Sequence, residues 1–141
     1  SAFGATGRIA DYICMDGTVP LGQLSHVLRG TAEIVAKYGL RVANVFHAGD
    51  GNMHPLILFN ANDPEDAARA EAAGNDILRL CVDAGGCLTG EHGVGIEKRD
   101  LMRHQYSDVD LAQQMAVRAA FDPQWLLNPS KVFPLEGRPA A

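Results

Sequence analysis

VANVFHAGDGNMHPLILF, residues 42–59, reads as two strands around a tight turn, and the rest of the chain can be organised outward from that hairpin. Val42–Phe46 and Met53–Phe59 are rich in β-branched and aromatic residues, and Gly49-Asp50-Gly51-Asn52 between them is turn chemistry. Asp50-Gly51 is a strong two-residue turn signal because both residues tolerate positive φ. Centring the turn there sets Gly49 against Asn52, Ala48 against Met53 and His47 against His54. Directly opposed residues share a sheet face, with Cβ atoms about 4.5–5.5 Å apart. Asp50 is read as a turn residue only.

On the N-terminal side, Asp11–Asp16 is a short apolar segment that suits a strand, closed by Gly17. Pro20 suits a first helical position, and Leu21, Leu24, Leu28, Thr31, Val35 and Tyr38 recur at helical spacing until Gly39. On the C-terminal side, Asp63 is an N-cap with Pro64 after it and Glu65 and Asp66 facing the positive helix end. This helix turns Ala67, Ala70, Ile77, Leu78 and Cys81 inward and ends near Gly85-Gly86. Cys87–Thr89 suits a short last strand, and Ser107 and Asp110 cap a further helix through Phe121, stopped by Pro123. The first residues show no clear start signal, and the last, Glu136–Ala141, read as a frayed tail. The order is β-α-β-β-α-β with a C-terminal helical extension. It predicts an α+β, ferredoxin-like domain, an antiparallel sheet with helices on one face.

The chain has 141 residues, 47% hydrophobic and 21% charged, enough to bury about two-thirds of its extended surface without disulfide or metal staples. Twelve basic against seventeen acidic residues give a net charge of −5 without a Lys/Arg cluster, which argues against nucleic acid or an anionic membrane as partner. Cys14, Cys81 and Cys87 form no CxxC pair, so reduced thiols in the cytoplasm are expected.

Two imidazoles held on one face of a hairpin can converge on a divalent metal; the other reading is a pair of hydrogen-bonded, partly buried histidines. A second cluster, Gly90-Glu91-His92-Gly93-Val94-Gly95, puts an acid beside a histidine in a loop of three glycines. Glu91 can supply a third metal ligand and His92 a proton acceptor, a two-His-one-carboxylate set with open positions as in catalytic zinc and non-haem iron sites. Both can also be solvated loop residues. Neither GxGxxG, GxxxxGK[ST] nor HExxH occurs.

HAGDGNMHPLILF (47–59), LTGEHGVGIEKRDLM (88–102), LLNPSKVF (126–133) and DYICMDGTVP (11–20) resemble the C-terminal part of FAD-linked 2-hydroxy-acid oxidases and dehydrogenases. The likeness is strongest to the glycolate oxidase flavoprotein subunits, with D-lactate and D-2-hydroxyglutarate dehydrogenases as relatives. It implies that residues 1–103 are the later part of a ferredoxin-like cap domain. Residues 104–141 would be a helical segment returning to a flavin domain that this chain lacks. The resemblance further implies metal ligands at His47, His54 and Glu91, a base at His92, and an approach to the flavin at Asn128. Leu56 stands where some relatives carry a substrate-contacting Asn, which disfavours a copy of the hydroxyglutarate enzyme.

The implied reaction moves hydride from the α-carbon of a D-2-hydroxy acid of the glycolate or D-lactate type to FAD, with a divalent metal, zinc first among candidates, at the histidine pair. Its partners are the small acid, the upstream FAD domain and other oxidase subunits, through which a cytoplasmic protein reaches a membrane. The chain alone is expected to hold no flavin, to be inactive and to self-associate. The reading from another class is an autonomous ferredoxin-like module that binds metal or a ligand and regulates a partner; a metal-dependent hydrolase is a third.

Overall fold

A computed structural model describes residues 2–7 and 10–135. Its sheet is organised by the second strand of the hairpin. The strands are β1 (Asp11–Cys14), β2 (Gly17–Thr18), β3 (Arg41–His47) and β4 (Asn52–Phe59). β4 is buried from Asn52 to Ile57 because it is paired on both edges, which is why it reads as a nearly continuous apolar run rather than an alternating one. All pairings are antiparallel. β1 and β2 lie on one side of β4, from Asp11 opposite Phe59 to Thr18 opposite Asn52, and β3 lies on the other.

β1 and β2 keep a single register on β4; Pro55 sits where they separate. Proline has no N–H to give the ladder, so only its carbonyl is used there, accepting from Met15 N–H at 3.1 Å. The expected strand through Asp16 therefore ends at Cys14 and resumes at Gly17.

Helices α1 (Ala2–Thr6), α2 (Leu24–Lys37, entered through a 3-10 turn at Leu21–Gln23) and α3 (Pro64–Asp83) complete the first of two units, into which the chain divides after His92. The short α1 has no counterpart in the reading from sequence. α3 begins as its cap signals require, with the Asp63 carboxylate accepting from the N–H groups of Glu65 and Asp66. It covers one sheet face. Gly17 lies against Cys81 and Leu78, and Gly74 against the Met15 thioether. Val27, Thr31 and Val35 of α2 are buried, and Gly30 lets α2 approach Leu80 of α3.

The last strand is smaller than expected. Cys87–Thr89 makes one antiparallel bridge, Cys87 with Thr18, whose two amides exchange bonds of 3.1 and 3.0 Å. Further on, Gly90 N–H donates both to the Asp16 backbone carbonyl at 3.1 Å and to its carboxylate at 3.0 Å, and the Glu91 and His92 amides donate to that carboxylate. The order remains βαββαβ, α+β and antiparallel, with its final strand reduced to that bridge.

The second unit, from Gly93, holds a 3-10 turn (Arg99–Leu101), α4 (Met102–Gln105) and α5 (Asp108–Phe121). Ser107 and Asp110 close the expected capping box on α5. Beyond α5 the Asp122 carboxylate accepts from Leu126 and Leu127 N–H at 3.0 and 2.9 Å, and Arg118 lies over the Trp125 ring. Burial works against this carboxylate, but those two amides and Arg118 outweigh it and hold its pKa below the usual range. The tail from 136 lies outside the described residues.

Gly86 is the tightest backbone approach: a Cβ there would stand 1.8 Å from the Thr18 carbonyl oxygen and 2.9 Å from that of Cys81. Gly86→Ala is expected to cost about 1–3 kcal/mol in urea unfolding and to weaken the Thr18–Cys87 bridge, seen as faster exchange of those two amides. Wild-type stability in this variant would contradict the packing described.

Candidate active site

Side chains alternate along the strands, so Met15, Gly17, Met53 and Ile57 share the face that α3 covers, and Cys14, Asp16, Asn52 and His54 share the other. His47 joins this second face, but not as a direct partner of His54. His47 is opposite Asn52 and Val45 is opposite His54; the strands are joined through Ala48–Gly51 rather than through a two-residue turn. The physical reason lies in the turn. Of Asp50 and Gly51 only Gly51 adopts positive φ, +68°, so the tight turn that needs both residues left-handed does not form. Gly51 is instead held against Val19, whose N–H donates to the Gly51 carbonyl at 2.9 Å. The register shifts by two residues, and an even shift keeps the histidines on one face as diagonal neighbours.

Their rings meet edge to face with centroids 5.4 Å apart, and Glu91 closes the group. Its Oε1 is 3.1 Å from His54 Nε2 and 3.7 Å from His47 Nε2. The His92 ring lies 5.0 Å from that of His54. Thus His47, His54, Glu91 and His92 come together in the first unit. Asn128 belongs to the second unit, where it is exposed with φ +45° in a segment that also holds Ser130 and Val132 left-handed. That segment is tied down by Val132 N–H donating to the Gly95 carbonyl and by Arg99 donating to that of Ser130, both at 2.8 Å.

His54 is 4% exposed, whereas the side chains of His47 and Glu91 are more than half exposed. Burial pushes the His54 imidazole below its ordinary pKa; Asp16 and Glu91 pull the other way, and His92 and His47 add to the depression. The ring is therefore neutral at pH 7, with one nitrogen carrying a proton and the other a lone pair. Nδ1 faces Cys14 Sγ at 3.6 Å and Nε2 faces Glu91.

These donors suit a metal ion. With bonds of about 2.0–2.1 Å, neighbouring ligands of a four- or six-coordinate ion stand about 3–3.4 Å apart, close to the 3.1 and 3.7 Å seen here. The donor atoms that all lie within 4.8 Å of one another are those of Asp16, His54, Glu91 and His92, and those of Cys14, His54 and His92; His47, which reaches Glu91, belongs to neither group. Nothing local in the sequence marks Asp16 or Cys14 as a site residue. Asp16 looked like the end of a strand and Cys14 like an ordinary thiol; only strand register brings them to the histidine face. Asn52, a turn residue by its sequence, is buried, and Gly90 packs against its side-chain amide, where a Cβ would stand 2.6 Å away.

An antiparallel sheet backed by helices, with two histidines, a carboxylate and a third histidine on its other face, defines an α+β domain with a metal-compatible site. Residues 1–132 match the family described as FAD linked oxidases, C-terminal domain. The chain is 57% identical over 135 residues to the glycolate oxidase subunit GlcD of Escherichia coli (strain K12), covering 95% of this chain and 27% of that protein. It is 34% identical over 139 residues to GlcD of Bacillus subtilis (strain 168), covering 98% and 30%. To the mitochondrial D-lactate dehydrogenase [cytochrome] of Kluyveromyces lactis it is 36% identical over 121 residues, covering 86% and 20%. The chain belongs to the family of FAD linked oxidases, as their C-terminal domain, and spans about a quarter of the length of these relatives.

The depressed pKa of His54 gives a pH signature in metal-free protein. The unfolded chain takes up this proton near pH 6.5 and the folded chain only at lower pH. The stability that the neutral ring contributes is thus fully present above about pH 6.5, falls as pH drops toward the folded pKa, and is level below it. NMR titration is expected to show the His54 ring protonating below the ordinary imidazole value; a midpoint at or above that value would contradict its burial.

Proposed function

We propose that this chain is the substrate-binding and metal-binding part of a flavoprotein oxidoreductase that oxidises a D-2-hydroxy acid, of the glycolate or D-lactate type, to the 2-oxo acid. The observation that supports this reading is the Glu91 carboxylate lying within 4 Å of the Nε2 atoms of both His47 and His54, with the His92 ring beside His54, in a chain of this family. When bound, a divalent ion at His47, His54 and Glu91, zinc by donor chemistry, supplies a Lewis-acid hold on the substrate hydroxyl and carboxylate, and FAD on a preceding domain supplies the hydride acceptor.

The chain's own residues do the rest. Neutral His54 offers a lone pair rather than a positive charge. His92 takes the substrate hydroxyl proton, which sends the hydride from the α-carbon toward the flavin; such a base contributes about 10²–10⁴-fold in rate. Asn128 is the residue of this chain assigned to the flavin. Residues 1–103 act as the later part of a cap domain and 104–141 as the return segment. The full protein works in the cytoplasm and meets a membrane through partner subunits; among the described residues no helix is long and apolar enough to cross one.

In the full-length protein, glycolate or D-lactate is expected to reduce the flavin; no reduction across a panel of D-2-hydroxy acids would overturn the reading. His92→Ala should slow that reduction by about 10²–10⁴-fold with metal and flavin content intact, while His54→Ala should lose metal as well as rate. A near-wild-type rate in His92→Ala would remove His92 as the base.

The chain alone is expected to self-associate, since Val109, Val117 and Phe121 of α5, with Leu126 and Leu127 after it, expose large apolar side chains. Light scattering should show oligomers that Val117→Glu with Phe121→Glu reduces; a monomer at high concentration would contradict this.

A further inference from the structure

The loop that delivers Glu91 and His92 has no strand to hold it, since pairing stops at Cys87. Asp16 holds it: Gly90 N–H donates to the Asp16 backbone carbonyl at 3.1 Å, and the side chain takes the rest. Asp16 is fully buried, and Oδ2 accepts from Thr89 Oγ1 at 2.5 Å, Gly90 N–H at 3.0 Å and His92 N–H at 2.9 Å. Its Oδ1 accepts from Glu91 N–H at 3.1 Å. Three successive amides and a hydroxyl thus wrap one carboxylate, the arrangement in which consecutive N–H groups form an anion-binding concavity. Hydrogen bonds to an anion are about twice as strong as neutral ones, so this contact can fix a loop that the ladder does not reach.

We propose that Asp16 is the positioning residue of the site: its carboxylate sets the backbone of residues 89–92 so that the Glu91 carboxylate reaches His47 and His54 and the His92 ring lies beside His54. The bound anion is the chain's own. Gly90 is part of the device, because its missing Cβ lets the loop lie against the buried Asn52 amide. Asp16 acts through Glu91 and His92 and need not touch substrate. The consequence for metal affinity rests on the reading of His47, His54 and Glu91 as ligands; the consequence for the loop does not.

Asp16→Asn is the test, because it keeps the shape but turns an NH2 group toward donors. In metal-free protein, amide exchange at Gly90, Glu91 and His92 is expected to quicken at least about tenfold while the amides of β4 keep their protection. Calorimetric titration with Zn2+ should then show affinity lowered by about 10- to 100-fold, the usual effect of losing an outer partner of a metal site. Unchanged exchange at residues 90–92 overturns the proposal; if Zn2+ affinity falls all the same, Asp16 is itself a ligand. Quickened exchange with unchanged Zn2+ affinity overturns the link from loop to site. If wild type binds no Zn2+, the metal reading fails and the exchange result alone decides the role of Asp16. Should Asp16→Asn not fold, Thr89→Val removes one of the contacts and should quicken the same amides a few-fold; no change there would also overturn the proposal.

Discussion

A proline in a strand paired on both edges sets much of the first unit. Pro55 accepts from Met15 but donates nothing, and at that point β1 and β2 separate while their register on β4 continues. Asp16 occupies the gap, on the face of the sheet away from α3; its backbone carbonyl accepts from Gly90, and its carboxylate accepts from the amides of Gly90, Glu91 and His92. One missing N–H thus coincides with the broken strand, the shortened final strand and the buried anion beneath the Glu91-His92 loop.

The electrostatics follow from this arrangement. A buried imidazole and a buried carboxylate lie close to each other. Desolvation keeps His54 neutral, while Asp16 is surrounded by donors that suit its charge. His47, Glu91 and His92 remain exposed at the rim, where a ligand can reach them. The site thus has a fixed inner layer and an outer layer that solvent reaches.

In the hairpin the two histidines share a face although they are not direct partners. Turn chemistry points to Asp50-Gly51 and a direct pairing of the histidines; the strands are joined through Ala48–Gly51 and the pairing is diagonal. The shared face survived because the side-chain period of a strand is two and the register error was two. A slip of one residue would have sent the imidazoles to opposite faces.

The sequence by itself determined the elements and their order. Asp63-Pro64, Ser107 with Asp110, and the glycines at 39 and 85–86 act on their own neighbours in the chain, through caps and turns that hold wherever the segment ends up. It also brought His47, His54, Glu91 and His92 forward as candidates, because paired histidines and an acid beside a histidine are visible in one dimension. Only the tertiary structure decided that Asp16 and Cys14 belong with them. Asp16 lies more than seventy residues from the loop it holds, and Cys14 forty from His54, so neither role has a local signal. Their parts come from which strand lies beside β4 and in what register, and that is settled by long-range pairing and burial rather than by any residue's preference for its neighbours.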